Sequence, residues 1–129
     1  MDYSILKVGD SLAQHTIVLG PNDVSKYISA VEDESPLYSD SSFVPPTAIA
    51  ALSLKGILED LGIPGGTVHL GQELEFLESV KIGQTLTCVA SIVQNSVRGP
   101  WRFLSVEMQV RSREKNTVLK GRSTIMVPV

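Results

Sequence analysis

The stretch VPPTAIAALSLKGILEDL, residues 44–61, predicts one long helix that the rest of the chain surrounds. Its first two turns carry only apolar or small side chains, and a helix that is hydrophobic all round must be buried all round. Pro46 suits the first helical turn, where its missing N–H is not needed, and Gly62 with Pro64 supplies the stop signal. Polar residues occur only toward the C-terminal end, which we expect to reach solvent: Lys55, Glu59 and Asp60.

Alternating apolar and polar residues predict four strands after this helix, at residues 67–78, 84–93, 102–111 and 117–127. In the first of them His69 falls in phase with Glu73 and Glu75, which places it on the polar face. Residues 95–100 read as a polar connection and residues 114–116 as a hairpin turn. One helix followed by a run of strands indicates a sheet curled around a central helix.

The segment before the helix predicts a fifth strand at residues 12–19, ended by Gly20 and Pro21. Asn22 or Asp23 can then cap a short surface helix. One face of that helix has the i, i+3, i+4, i+7 spacing of packed residues: Val24, Tyr27, Ile28 and Val31. Residues 32–42 are polar and read as a loop leading to the central helix.

Together these elements predict an α+β domain covering residues 1–129, with a five-stranded antiparallel sheet wrapped around one helix. A single sheet layer leaves its outer face and its edge strands uncovered, which usually implies dimerisation. We therefore expect a homodimer or a heterodimer with a similar chain.

The composition narrows the function classes. The 129 residues carry a net charge of -3, which argues against nucleic acid or an anionic membrane as the main partner. No apolar run is long enough for a membrane span, and the N-terminal residues do not resemble a signal peptide, so we expect a cytoplasmic protein. Cys88 is alone and in phase with apolar strand residues, and two isolated histidines make no metal motif. No metal or cofactor is expected.

Three stretches carry a family resemblance. EDESPLYSD, residues 32–40, is similar to the GDxNPLHxD loop of MaoC-like proteins. HLGQELEFLESVKIGQTL, residues 69–86, is similar to their strand-turn-strand segment, and VPPTAIAAL is similar to the helix start of related dehydratases. The chain thus resembles the hot-dog fold and the MaoC-like family of (R)-specific enoyl-thioester hydratases and 3-hydroxyacyl-thioester dehydratases.

The resemblance implies a site on the loop and the helix start. Moving water onto or off an enoyl thioester needs a base for the water, an acid for the adjacent carbon and N–H donors for the thioester oxygen. In the family an Asp and a His in the loop handle the water, and helix N-terminal amides hold the oxygen. Here the resemblance matches Asp33 to the Asp and places the oxygen-holding position near Thr47, whose N–H is present although the preceding Pro46 offers none. Ser35 replaces the usual Asn and completes the expected substrate contacts.

The chain departs from the family at the His position, which is Tyr38. A tyrosine hydroxyl, whose ordinary pKa is about 10, can donate a hydrogen bond but is a poor base at neutral pH. Tyr38 is therefore either a substitute acid or a packed aromatic residue. Asp33 is either the general base or a turn residue that accepts hydrogen bonds from its own loop amides.

Three functions remain open. The first is a hydratase or dehydratase that acts on acyl thioesters of CoA or an acyl carrier protein through Asp33. The second is a non-catalytic subunit that pairs with a catalytic hot-dog chain, which Tyr38 motivates. The third is an acyl-CoA thioesterase, which shares the fold but has no motif here.

Overall fold

The computed structural model describes residues 2–39 and 42–129. Asp40, the last residue of the motif-like loop, lies outside the described residues, as do Met1 and Ser41. A 3₁₀ turn, Tyr3–Ile5, precedes the first strand. The helices and strands are β1 (His15–Val18), α1 (Pro21–Ala30), α2 (Pro36–Ser39), α3 (Pro46–Leu61), β2 (Val68–Phe76), β3 (Thr85–Arg98), β4 (Trp101–Ser112) and β5 (Thr117–Pro128).

The five strands form one antiparallel sheet in the order β1-β3-β4-β5-β2, so that β1 and β2 are its edges. The core lies between one face of this sheet and α3, and joins apolar side chains of both: Ala48, Ile49, Ile57, Leu61, Leu86, Ile92, Val106, Val110 and Leu119. We call this the inner face of the sheet. The architecture confirms the predicted α+β class, in which an antiparallel five-stranded sheet packs on one central helix.

The predicted ends of the central helix are close to the observed ones. Pro45 is the N-cap and Pro46 the first helical residue, two positions later than the predicted start. Gly62 is the C-cap, with φ of 58° in the left-handed region that glycine adopts without strain. The Tyr3 hydroxyl donates to the carbonyls of Leu61 and Gly62, each 2.8 Å away, and so satisfies acceptors at the helix end.

The prediction that α3 is buried all round is wrong. Thr47 and Ala51 are exposed and Leu52 is 39% exposed, whereas Ile57 and Leu61 on the sheet side are at most 2% exposed. The reason is that the described chain has only one sheet layer, which covers one side of the helix. The apolar side chains on the other side are not covered by any of the residues that the structure describes.

The middle hairpin is longer than the sequence predicts. The segment assigned to a connection, residues 95–100, continues β3 as far as Arg98, and only Gly99 and Pro100 form the turn. Asn95 fits in the strand because its amide donates to the carbonyls of Tyr3 and Leu6, at 2.9 and 2.7 Å. The edge strand β1 is shorter than predicted, because it covers only His15–Val18 of the predicted residues 12–19.

The assignment of His69 to the polar face of β2 is also wrong. The register with β5 shifts between His69 and Gly71, so that His69 pairs with Ile125 on the inner face while Glu73 pairs with Arg122 on the outer face. One extra residue in a strand moves every side chain before it to the opposite face.

The first helix begins one residue before the predicted caps. Gly20 is the N-cap, and its N–H donates a hydrogen bond to the Asp23 carboxylate at 2.9 Å. The predicted packed face is present at Val24, which is 3% exposed, but Val31 follows the helix and is 51% exposed.

The one-sided burial of α3 predicts different effects for two leucines of the same helix. Leu61→Ala should lower the free energy of unfolding by about 2–5 kcal/mol, because it empties a fully buried position. Leu52→Ala should lower it by less than about 1 kcal/mol, because that side chain already contacts solvent. Urea unfolding at a fixed protein concentration measures both. Equal losses would mean that the Leu52 side of α3 is covered in solution.

Candidate functional site

The loop that carries Asp33 is fixed to the end of α1. The N–H of Val31 donates to Tyr27 O and that of Asp33 donates to Ile28 O, both at 3.1 Å. Between them Glu32 has φ of 54°, a left-handed conformation that turns the chain back on the helix end. The position of Asp33 is therefore set by the last turn of α1.

The carboxylate of Asp33 is half-buried and only partly engaged. Its Oδ1 accepts a hydrogen bond from the N–H of Ser35 at 2.8 Å. Within residues 2–39 and 42–129, its Oδ2 accepts none. The loop contact expected of a turn residue is thus present, and the other carboxylate oxygen has no hydrogen-bond partner among the described residues.

The predicted loop contains a short helix, α2, that begins at Pro36. Ser35 precedes it, where its hydroxyl accepts from the N–H of Leu37 at 3.3 Å and its carbonyl accepts from that of Tyr38 at 3.2 Å. Tyr38 is half-buried, and its hydroxyl forms no hydrogen bond with Asp33. The sequence did not indicate this helical turn because it spans only four positions, too few for a helical periodicity, and lies in a mostly polar segment.

The N-terminus of α3 is held by its neighbours on two sides. Before the helix, the N–H of Val44 donates to Val80 O at 2.8 Å. The hydroxyl of Thr47, the second helical residue, lies 2.6 Å from the Tyr27 hydroxyl on α1. Pro46 has no N–H, and the N–H of Thr47 has no acceptor within the helix. This end of α3 therefore presents an exposed amide in the positive field of the helix dipole.

Sequence reasoning missed Tyr27 as a residue of this site. Its spacing with Val24 and Ile28 identified it only as part of a packed helix face. The contact with Thr47 joins residues twenty positions apart, and nothing in the local pattern of either residue indicates it.

The two histidines lie away from this loop. His15 Nε2 is 2.6 Å from Asp60 Oδ2, a hydrogen-bond contact that links β1 to the C-terminal half of α3. His69 borders a cavity of about 280 Å³ at the same end of α3. Leu54, Leu58 and Ile125 supply apolar walls of this cavity. Neither histidine replaces the one that the loop lacks.

The outer face of the sheet carries a shallow groove of about 600 Å³. Its charged lining alternates in sign across the strands: Glu73, Glu75, Glu107, Arg111, Lys120 and Arg122. These side chains form no ion pair in the described part of the chain. In residues 2–39 and 42–129, no three His, Cys, Asp or Glu side chains are grouped as a metal site. None of the described helices has the length and apolar content of a membrane span.

An antiparallel five-stranded sheet packed on one central helix is the architecture of a hot-dog domain. Residues 7–120 match the family described as FAS1-like, dehydratase domain region, and the chain belongs to this family. The predicted recognition of a MaoC-like hot-dog protein is confirmed. No curated protein sequence matches the chain significantly.

Solved structures share the whole fold at low sequence identity. The (R)-hydratase of A. caviae involved in PHA biosynthesis is 19% identical with a TM-score of 0.78, covering 96% of this chain and 98% of its own. The MaoC-like dehydratase of Rhodospirillum rubrum is 14% identical with a TM-score of 0.79, covering 97% and 94%. The HadBC (3R-hydroxyacyl-ACP dehydratase) complex of Mycobacterium tuberculosis is 17% identical with a TM-score of 0.70, covering 87% and 90%. These likenesses confirm the hot-dog fold.

Cys88 does not belong to the site. It is 1% exposed and packs in the core under α3, and burial raises the pKa of its thiol, against a smaller lowering by the Ser53 hydroxyl. Because the thiolate is the reactive form, native protein at neutral pH should react with iodoacetamide at least about tenfold more slowly than protein unfolded in urea. Mass spectrometry of timed samples measures the rate. Equal rates would show that the core opens readily or that the thiol is accessible.

Proposed function

We propose that the chain interconverts trans-2-enoyl and (R)-3-hydroxyacyl thioesters carried on CoA or an acyl carrier protein. The observation that carries the proposal is the half-buried Asp33 carboxylate with one oxygen uncommitted, on a loop bound to the same helix that holds the N-terminus of α3. Membership of a dehydratase family supports this reaction class. We assign Asp33 and Tyr38 to catalysis and Ser35, Pro46 and Thr47 to substrate contact.

In the hydration direction, Asp33 accepts a proton from water as the water oxygen bonds to C3 of the enoyl group. Electrons move from the C2–C3 double bond toward the thioester oxygen, where the Thr47 N–H and the α3 dipole stabilise the developing charge. The Tyr38 hydroxyl delivers a proton to C2, and the proton held by Asp33 returns to Tyr38 through solvent. The sum is one water added, and dehydration is the reverse.

The exchange Asp33→Asn tests this role without disturbing the loop. The amide oxygen can still accept from the Ser35 N–H, but it cannot take a proton from water. We expect kcat for hydration of trans-2-butenoyl-CoA to fall by about 10²–10⁴-fold, followed as loss of the enoyl absorbance.

Asp10→Asn is the matched control. The Asp10 carboxylate also accepts a backbone N–H, from Lys7 at 2.8 Å, but it lies in the N-terminal turn. Its exchange should leave kcat unchanged. Turnover that survives in the Asp33 variant would remove Asp33 from catalysis.

A second candidate function is favoured by Tyr38. Without the loop histidine, the chain can be the non-catalytic member of a pair that supplies substrate-channel wall and stability to a catalytic hot-dog chain. The HadBC dehydratase, which shares the fold, is a complex. Wild-type protein that binds an enoyl thioester without converting it, until a hot-dog partner is added, would favour this reading.

We expect a second chain in either case, because the sheet has uncovered edges, and we propose that it pairs with β2. All nine residues of this edge strand are exposed, including Leu70 at 48% and Phe76 at 46%. An exposed edge strand of this length is a template for pairing with another strand. The partner is either a second copy or a related hot-dog chain.

A charge on this edge should weaken the pairing. Leu70→Lys should shift the protein from dimer to monomer in analytical ultracentrifugation, with at least a tenfold rise in the dimer dissociation constant. Val8→Lys is the control, because Val8 is 66% exposed and lies in the N-terminal segment. A wild-type monomer, or a dimer that Leu70→Lys leaves intact, would contradict pairing through β2.

The remaining assignments are part of the proposal. We take residues 1–129 as one functional domain, and the cytoplasm as its location, which the acidic composition and the single buried cysteine fit.

A further inference from the structure

We propose that Tyr27 is a positioning residue, which sets the separation between Asp33 and the N-terminal amides of α3. The inference rests on the proposed function. Tyr27 is half-buried in the last turns of α1, and its hydroxyl lies 2.6 Å from that of Thr47. Either oxygen can be the donor. The contact bonds α1 to the helical residue whose N–H is assigned to the thioester oxygen.

The adjacent residue of α1 holds the other half of the site. The Ile28 carbonyl accepts the N–H of Asp33, and the Tyr27 carbonyl accepts that of Val31. One turn of α1 therefore fixes the carboxylate loop by its backbone and the α3 start by the Tyr27 side chain. This turn of α1 is thus a hydrogen-bonded connection between Asp33 and the start of α3.

The packing of α1 does not depend on this contact. Val24, one turn earlier, is 3% exposed and anchors the helix in the core. Loss of the Tyr27 hydroxyl should therefore leave α1 in place while freeing the first turn of α3 to shift. Displacements of about 1 Å between reacting groups can lower rates about 10²-fold, so a small shift matters to catalysis more than to folding.

The test compares Tyr27→Phe, Thr47→Val and the double variant with Tyr3→Phe. Tyr3 is the matched control, because its hydroxyl also bonds to α3, but at the C-terminal end. Tyr27→Phe and Thr47→Val each remove the single Tyr27–Thr47 contact, whereas Tyr3→Phe removes two contacts at the other end of the helix and should lower stability at least as much. Kinetics with trans-2-butenoyl-CoA give kcat and KM, and urea unfolding gives stability.

We expect Tyr27→Phe and Thr47→Val each to lower kcat about tenfold or more, with KM within about threefold. The double variant should be no slower than the slower single variant, since both changes remove the same contact. Tyr3→Phe should keep the wild-type kcat. Wild-type kcat in Tyr27→Phe, or equal kcat losses in Tyr27→Phe and Tyr3→Phe, would overturn the positioning role.

A second readout does not need turnover. The infrared frequency of a ¹³C-labelled thioester carbonyl falls when an N–H donor polarises it. Binding to the wild-type protein should lower the carbonyl frequency of the thioester. Binding to the Tyr27→Phe variant should leave that frequency closer to its value in solution. If the wild-type protein binds the thioester without converting it, the proposed catalytic function is wrong. The difference in carbonyl frequency between wild type and Tyr27→Phe still tests the positioning role. An unchanged frequency in Tyr27→Phe overturns the inference, and absence of any thioester binding overturns both proposals.

Discussion

The packing of α3 on the inner face of the sheet is the interaction on which the rest of the structure depends. Ile57 and Leu61 are at most 2% exposed, and burying a side chain of this size stabilises the fold by about 1.5–3 kcal/mol. Tyrosine hydroxyls on other segments bond to each end of the helix, that of Tyr3 at the C-terminus and that of Tyr27 at the N-terminus. The same helix is thus the main core element and the carrier of the candidate oxygen-binding amide.

Local patterns determined which parts of the fold could be predicted from the sequence. The central helix, its glycine stop and the strand alternation depend on neighbours in the chain, and these predictions are close to the structure. The face of His69 depends on a register shift against β5, and the place of Asn95 in β3 depends on carbonyls of Tyr3 and Leu6. Partners about ninety residues away leave no local signal. The polar residue Asn95 was therefore assigned to a connection although it lies in a strand.

The site divides in the same way. Asp33, Tyr38 and the α3 start were identified because they lie in short stretches with a family resemblance, and the structure shows how the loop and the helix start are held. The Tyr27–Thr47 and His15–Asp60 contacts join distant segments and could not be predicted. Both are products of the fold, which brings α1 and β1 against opposite ends of α3.

The position of β2 in the chain affects how the protein leaves the ribosome. β2 ends at Phe76, but its partner β5 begins at Thr117. At a synthesis rate of ~5–20 residues per second, roughly two to eight seconds pass between the synthesis of Phe76 and that of Thr117. Until β5 is made, neither edge of β2 has a strand partner in the described part of the chain, and binding by a chaperone or by a partner chain already folded would protect its apolar side chains from aggregation.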